Sequence, residues 1–514
     1  MAKIRSTSFN TTINIISGLA VLITNVCISF FLSPYIIRTI GVEANGFVTL
    51  ANNFVAYADL AVTALNAMAA RFITISYINK DYKKANIYYN SVFWGNLIIV
   101  GVLLIPATIF VLRLETFVNV PTNILWDVKI LFAVILFSFF LRTGAPNWDC
   151  GTYVSNRMDR SNFPSAVTSV LKCVILFCMF SLMTPHVWYV GFATTLTAAI
   201  YLIIQGYNTH TLTPELKISL RKPNCSYNAV KELVGSGIWS AIANGGNTLM
   251  SGFDLLVCNK FLGATLMGVL SVSKSLPNIL TTFSETIRGA FGPELTIAYA
   301  KGNKEEILRC IQRSLKISSV IVTIPTAGII IMSGDLYRLW VPSQDADLLQ
   351  ILTVLAVLRY VFCSGITNLN NVFATLNKVK YNSIALVITG GISIGITFGF
   401  IIFTDLDLYA VAGVSSIVMI IKDVCFMAPV TSQFLGYRWN QFYSSIATSV
   451  LCCGVTILVG SVVRQIIPVD SWMIFFIDAF IIAGIGLLTN MRIVLNKDER
   501  TYFINILKRK LGKK

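Results

Sequence analysis

Histidine is almost absent from this chain, and charge is scarce. The two histidines in 514 residues, His186 and His210, sit at the ends of apolar segments, and no H-E-x-x-H pattern occurs. A metal centre or a His-based catalytic centre is therefore not expected. Charged residues make up 12% of the chain, about half the usual share for a soluble domain. Acidic residues are the rarer sign, 24 against 40 basic, for a net charge of +16. The eleven cysteines are odd in number, lie mostly inside apolar segments and form no C-x-x-C, so they read as small core residues. Nucleotide chemistry is missing too. Gly41 to Gly46 and Gly263 to Gly268 have the outer spacing of a phosphate loop, but Phe47 and Val269 stand where its lysine belongs.

Apolar residues are what the chain has in excess, at 55%. They recur in runs of roughly 20 residues, the length that crosses a bilayer. The reading is an all-α polytopic membrane protein of about fourteen transmembrane helices. The spans run near 11–37, 46–74, 86–112, 124–146, 160–183, 187–207, 230–258, 266–298, 307–333, 349–373, 381–403, 408–433, 441–463 and 470–492. The first run is too long for a signal-peptide core and reads as a retained helix. The divisions follow: a six-helix lobe over 1–207, a cytoplasmic linker over 208–229, a second six-helix lobe over 230–433, helices 13 and 14 within 434–497, and a basic cytoplasmic tail over 498–514.

Basic residues set the orientation. With the N-terminus cytoplasmic, the opposite side holds only Arg38, Arg113, Lys129, Lys260, Arg338 and Arg464. Most other Lys and Arg then face the cytoplasm, and both termini lie there. Trp126, Trp188, Trp439 and Trp472 lie at or near span starts, where an amphipathic ring suits the headgroup layer. The tail combines Phe503, Ile506, Leu507 and Leu511 with Lys508, Arg509 and Lys510, which suits a helix on an anionic leaflet rather than nucleic acid.

The two halves repeat. A shift of 222 sends Asn25 to Asn247, Arg38 to Lys260, and Gly41 and Gly46 to Gly263 and Gly268. A shift of 221 sends Val120-Pro121 to Val341-Pro342 and Asn147 to Asn368. Six spans per repeat make the two repeats parallel, with a substrate path expected between lobes. Helices 13 and 14 fall outside.

The polar stripes mark the candidate site. Ser236, Ser240, Asn244, Asn247, Ser251 and Asp254 line one face of the seventh span; Ser271, Lys274, Asn278, Thr281, Glu285 and Arg288 line one face of the eighth. Asn52, Asp59 and Asn66 repeat that stripe on the second span. A charge at bilayer depth needs a partner or a function. Lys172, Arg288 and Arg359 are the leading cation candidates, with Lys274 and Arg71 beside them; Asn25, Asn244 and Asn247 are hydrogen-bonding candidates. Asp59, Asp254 and Glu285 are the candidates for ion coupling. Depth and spacing also allow Asp254 to pair with Lys274, and Glu285 with Arg288. Trp239, inside the seventh span, is either packing or a platform for a sugar ring.

Span number, parallel repeat and basic stripes together resemble the polysaccharide flippases, transporters of lipid-linked O-antigen and related oligosaccharides. The stretches Phe31-Leu32-Ser33-Pro34-Tyr35-Ile36-Ile37-Arg38-Thr39-Ile40-Gly41 and Asn259-Lys260-Phe261-Leu262-Gly263 look like that family's helix-end segments. The family belongs to a superfamily with lipid II flippases and multidrug extrusion transporters. The resemblance implies a polyprenyl-diphosphate-linked oligosaccharide as cargo, moved to the outer leaflet of a bacterial cell membrane for surface polysaccharide synthesis. It implies surrounding lipid and polysaccharide-assembly proteins as partners, with no cofactor and no nucleic acid. Arg288 matches a basic residue that lipid II flippases use on helix 8, and Arg71 one on helix 2; the first span has no basic residue to match theirs. Two rivals stand beside this reading: an ion-coupled multidrug extruder, and a membrane-bound polysaccharide polymerase or acyltransferase.

Overall fold

The structure, a computed structural model, describes residues 7–219, 224–300, 304–376, 378–466 and 468–494. The basic tail, Lys3, Arg5, Arg221, Lys222 and Lys301 lie outside the described residues. Among the described residues the regular elements are all helical and no strand occurs. That is the expected result of burying backbone in lipid, where each N–H and C=O must be satisfied within its own segment.

Twelve helices are long and apolar enough to cross a membrane among the described residues, the first Ala20–Ile40 and the last Trp472–Val494. They coincide with twelve of the fourteen expected spans. The other two, 230–258 and 266–298, are helical but differ from expectation. Each is broken in two, at Gly252 and at Lys274. Their polar stripes also make them less apolar than the rest. The device that suggested a site is what sets these two helices apart.

The chain forms two compact units, Met1–Thr248 with Leu255–Gly268, and Leu249–Asp254 with Val269–Lys514. The first unit is built on α1 (Thr7–Ile40), α2 (Val42–Asn66), α3 (Ala69–Ile78), α4 (Tyr82–Leu112), α5 (Leu125–Gly144), the short α6 (Asp149–Val154), α7 (Asp159–Leu182) and α8 (Tyr189–Leu212). Most of α9 (Tyr227–Ser251), most of α10 (Phe253–Leu262) and the start of α11 (Ala264–Ser273) complete it. Here α5 packs against α2, α4 and α8, and α1 packs along α7.

Two repeat landmarks acquire a physical meaning in this unit. Gly41 and Gly263 sit ahead of α2 and α11 with φ of 91° and 94°. Only glycine adopts that backbone at no steric cost, and the same turn occurs 222 residues apart. Gly46 and Gly268 meet each other. A Cβ on Gly46 would lie 2.9 Å from the Gly268 Cα, and one on Gly268 would lie 2.6 Å from the Val42 carbonyl oxygen. Beyond them, Asn119 and Asn259 interlock: the Asn119 N–H donates to Asn259 Oδ1 at 2.7 Å, and Asn259 Nδ2 donates back to the Asn119 carbonyl at 3.0 Å.

The second unit is organised by α13 (Lys304–Trp340), which follows α12 (Ser275–Ala300) and is mostly lined by buried residues. It packs against α12, α14 (Ala346–Cys363), α17 (Tyr443–Ile466) and α18 (Trp472–Val494). In turn α14 packs against α16 (Asp407–Lys422), which lies along α15 (Val379–Phe403). A π-helical turn, Asp423–Met427, follows α16.

Thiol reactivity gives one prediction. Cys150, at the start of α6, is buried, and burial pushes its thiol up to about 12. The thiolate is the reactive form, so Cys150 is expected to resist maleimide at neutral pH while the exposed Cys225 reacts. Mass spectrometry of the labelled protein, with modification at Cys150 ahead of Cys225 as the contrary result, checks this.

Candidate functional site

The first unit holds a half-open cavity of about 600 Å³. One face of α2 supplies Asn52, Asp59 and Asn66, seven residues apart and hence nearly in line on a helix. Asn96 comes from α4, Ser138 and Arg142 from α5, Asn147, Trp148 and Asp149 from the α5–α6 junction, and Thr194, Tyr201 and Gln205 from α8.

The wall is organised by hydrogen bonds. Asn66 and Asn96 exchange amide bonds at 3.3 and 3.0 Å. The Tyr201 hydroxyl donates to Asp149 Oδ1 at 2.7 Å, Ser161 Oγ donates to the same oxygen at 3.2 Å, and the two hydroxyls lie 2.8 Å apart. Gln205 is buried; its Nε2 reaches the Arg160 carbonyl at 3.4 Å, and its Oε1 has no hydrogen-bond partner among the described residues. Asp59 and Arg142 are both open to the cavity and act on each other electrostatically, with no salt bridge to either among the described residues. The cavity thus presents one carboxylate, one guanidinium and several amides and hydroxyls. That set suits a polar, many-hydroxyl ligand or a small ion.

Of the residues singled out from sequence, the second-span stripe of Asn52, Asp59 and Asn66 lines this cavity, and the cation candidates Lys172, Arg288, Arg359, Lys274 and Arg71 do not. Lys172 on α7 is half-buried and meets no carboxylate among the described residues. Asn25 on α1, Arg71 on α3, and Asn244 and Asn247 on α9 are exposed; Trp239 on α9 is half-buried. In the second unit, Lys274 Nζ lies 2.7 Å from Asp254 Oδ2, both largely buried. Arg288 lies 3.6 Å from Glu285, one turn along α12. Arg359 of α14 is held by Asp423, its Nε and Nη2 donating to Oδ2 at 3.0 and 2.8 Å. Lys422 Nζ lies 2.9 Å from Asp423 Oδ1.

Sequence reasoning missed Asn96, Asp149, Tyr201 and Gln205 in the cavity, and Lys422 and Asp423 beside Arg359. A signal for the last pair existed. Two adjacent charges inside the run 408–433 are as costly as any singled out, and they needed a partner. The others carried no signal, since an Asn or Tyr in an apolar helix does not say which neighbour it meets.

The fold, with a dozen apolar helices among the described residues and a polar cavity within one unit, is the one seen in solved structures of the MOP superfamily. The chain is similar to a multidrug resistance MATE family transporter of that superfamily in its inward-facing conformation, with TM-score 0.64, 14% identity, 82% of this chain and 98% of that one covered. It is also similar to the lipid II flippase MurJ in an inward closed conformation, with TM-score 0.63, 16% identity, 97% of this chain and 99% of that one covered. In sequence it is 23% identical over 502 residues to the uncharacterized membrane protein EpsK of Bacillus subtilis (strain 168), covering 98% of this chain and 99% of EpsK. No family model matches the chain.

Proposed function

We propose that this protein is a flippase that moves a polyprenyl-diphosphate-linked oligosaccharide from the cytoplasmic to the outer leaflet of a bacterial cell membrane, by alternating access, for surface polysaccharide synthesis. The observation that carries the reading is the cavity wall of Asn52, Asn66, Asn96, Ser138, Asn147, Thr194, Tyr201 and Gln205. A sugar hydroxyl without a partner costs roughly 4–8 kcal/mol in an alkane-like medium, and these amides and hydroxyls can replace the water it leaves. Arg142 in the cavity, with Lys172 in the same unit, supplies a cation for a diphosphate through charge-assisted bonds, and Arg288 is the candidate for that role in the second unit. Lys274 and Arg359 are already committed to Asp254 and Asp423, and they serve this reading less well. Asp59 is the carboxylate proposed for ion coupling.

Coverage supports the flippase reading over drug extrusion. MurJ matches 97% of the chain and the MATE transporter 82%. The difference is roughly two spans with their links, which suits the two helices placed outside the repeat. The MATE likeness has a comparable TM-score of 0.64, so multidrug extrusion is the second reading. Deletion of the gene is expected to accumulate a lipid-linked oligosaccharide on the cytoplasmic side without changing drug susceptibility; drug sensitivity with normal glycan export would favour the second reading.

Asp59→Asn and Arg142→Gln are each expected to lower glycan export at least about tenfold, the scale of one lost charge-assisted contact. Membrane levels should stay at wild type, since neither group forms a salt bridge among the described residues. Export at the wild-type rate in both variants would remove the cavity from the transport path. A cytoplasmic linker further predicts that an impermeant maleimide reaches Cys225 in inverted vesicles and not in intact cells.

A further inference from the structure

The helix pair outside the repeat holds a carboxyl that the transport reading does not use. Asp478 lies six residues into α18, about 9 Å along its axis. It is fully buried, and neither carboxyl oxygen has a hydrogen-bond partner among the described residues. Its neighbours along the helix, Phe475, Ala479 and Ile482, belong to an apolar cluster with Ile331 and Met332 of α13 and Val463 of α17.

The charged groups near it on those helices are Asp335 and Arg338 of α13 and Arg464 of α17. Asp335 and Arg464 are close enough to act on Asp478 electrostatically. Arg464 is already taken: its Nε lies 2.7 Å from Asp335 Oδ2, its Nη2 donates to Asp335 Oδ1 at 2.9 Å, and its Nη1 donates to the Ile331 carbonyl at 3.1 Å. Arg338 lies 3.9 Å from Asp335 and 3.0 Å from Asp347. Asp335 thus holds the Arg464 guanidinium, and Asp478 is left without a bonded cation among the described residues.

An ionised carboxylate without donors in such a place is too costly to persist. We propose that Asp478 is a proton-binding site, protonated in this arrangement and releasing its proton when Arg464 turns from Asp335 toward it. The released proton leaves a carboxylate paired with Arg464, while Asp335 keeps Arg338 at 3.9 Å. The site is independent of the cargo.

The test uses purified full-length protein in lipid nanodiscs at neutral pH. Dicyclohexylcarbodiimide, a lipophilic reagent for protonated carboxyls, should modify Asp478 in the wild-type protein, as mapped by mass spectrometry, and sodium chloride should not protect it. The infrared spectrum should show a protonated-acid carbonyl band that is lost in Asp478→Asn. The same band, with the labelling, should also be lost in Asp335→Asn, where Arg464 is freed to pair with an intact Asp478. Absence of both label and band in the wild-type protein would overturn the proposal, and so would protection by sodium. Persistence of the Asp478 label in Asp335→Asn would overturn the Arg464 exchange.

Discussion

Asp423→Ala is expected to destabilise the protein by about 3–5 kcal/mol, the cost of stripping the partner from a buried charge. Asp423 is wholly buried, and two cations depend on it, Arg359 through two donated bonds and Lys422 through a contact of 2.9 Å. Both cations are themselves mostly buried, with side-chain exposures of 19% and 2%. Neither has water to fall back on, so removing the carboxylate leaves two like charges facing each other in an apolar interior. Thermal melting of the solubilised protein, followed by size exclusion, reads the loss. Joint replacement of Arg359 and Lys422 by methionine and of Asp423 by leucine is expected to restore most of it, because an ion cluster can be exchanged for apolar packing at little cost. A melting temperature for Asp423→Ala within a degree or so of wild type would mean the cluster is not the strut described here.

Gly268→Val is expected to cost about 1–3 kcal/mol from overpacking. Its Cβ would stand 2.6 Å from the Val42 carbonyl oxygen and 3.1 Å from the Glu43 backbone nitrogen, neither of which can swing aside as a side chain would. Gly46→Val strains the same approach, meeting the Gly268 backbone at 2.9 Å. The double variant should cost less than the sum of the singles, since one separation of the helices relieves both clashes. Gly454→Ala and Gly484→Ala are the controls: a Cβ there has nothing within 4 Å. If the controls lose as much stability as Gly268→Val, close backbone approach is not what Gly268 provides.

Much of this was legible beforehand. Twelve spans followed from apolar length alone. Gly41 and Gly263 were visible as matched turns, and both carry the positive φ that makes glycine necessary. Asp254 with Lys274, and Glu285 with Arg288, could be paired from depth and helical spacing. The chamber was not legible, even though Asn52, Asp59 and Asn66 were on a recognised stripe. Its other walls come from α4, α5 and α8, whose polar residues are isolated among apolar ones. The partner of Arg359 was hidden for the same reason: Asp423 is 64 residues away on another helix.

The sequence by itself determined that this is a multi-span helical protein, because repeated apolar runs of roughly 20 residues match the bilayer as helices and are too long and too uniformly apolar for barrel strands. It also determined which face of each helix is polar, since 3.6 residues per turn is a local property. The tertiary structure alone decided which polar faces meet. It placed Asp59 and Arg142 on one cavity, gave Asp423 to Arg359, and left Asp478 beside a guanidinium already held by Asp335. Those outcomes depend on how each helix is turned against its neighbours. That is set by close packing over the whole interior, which no single span encodes.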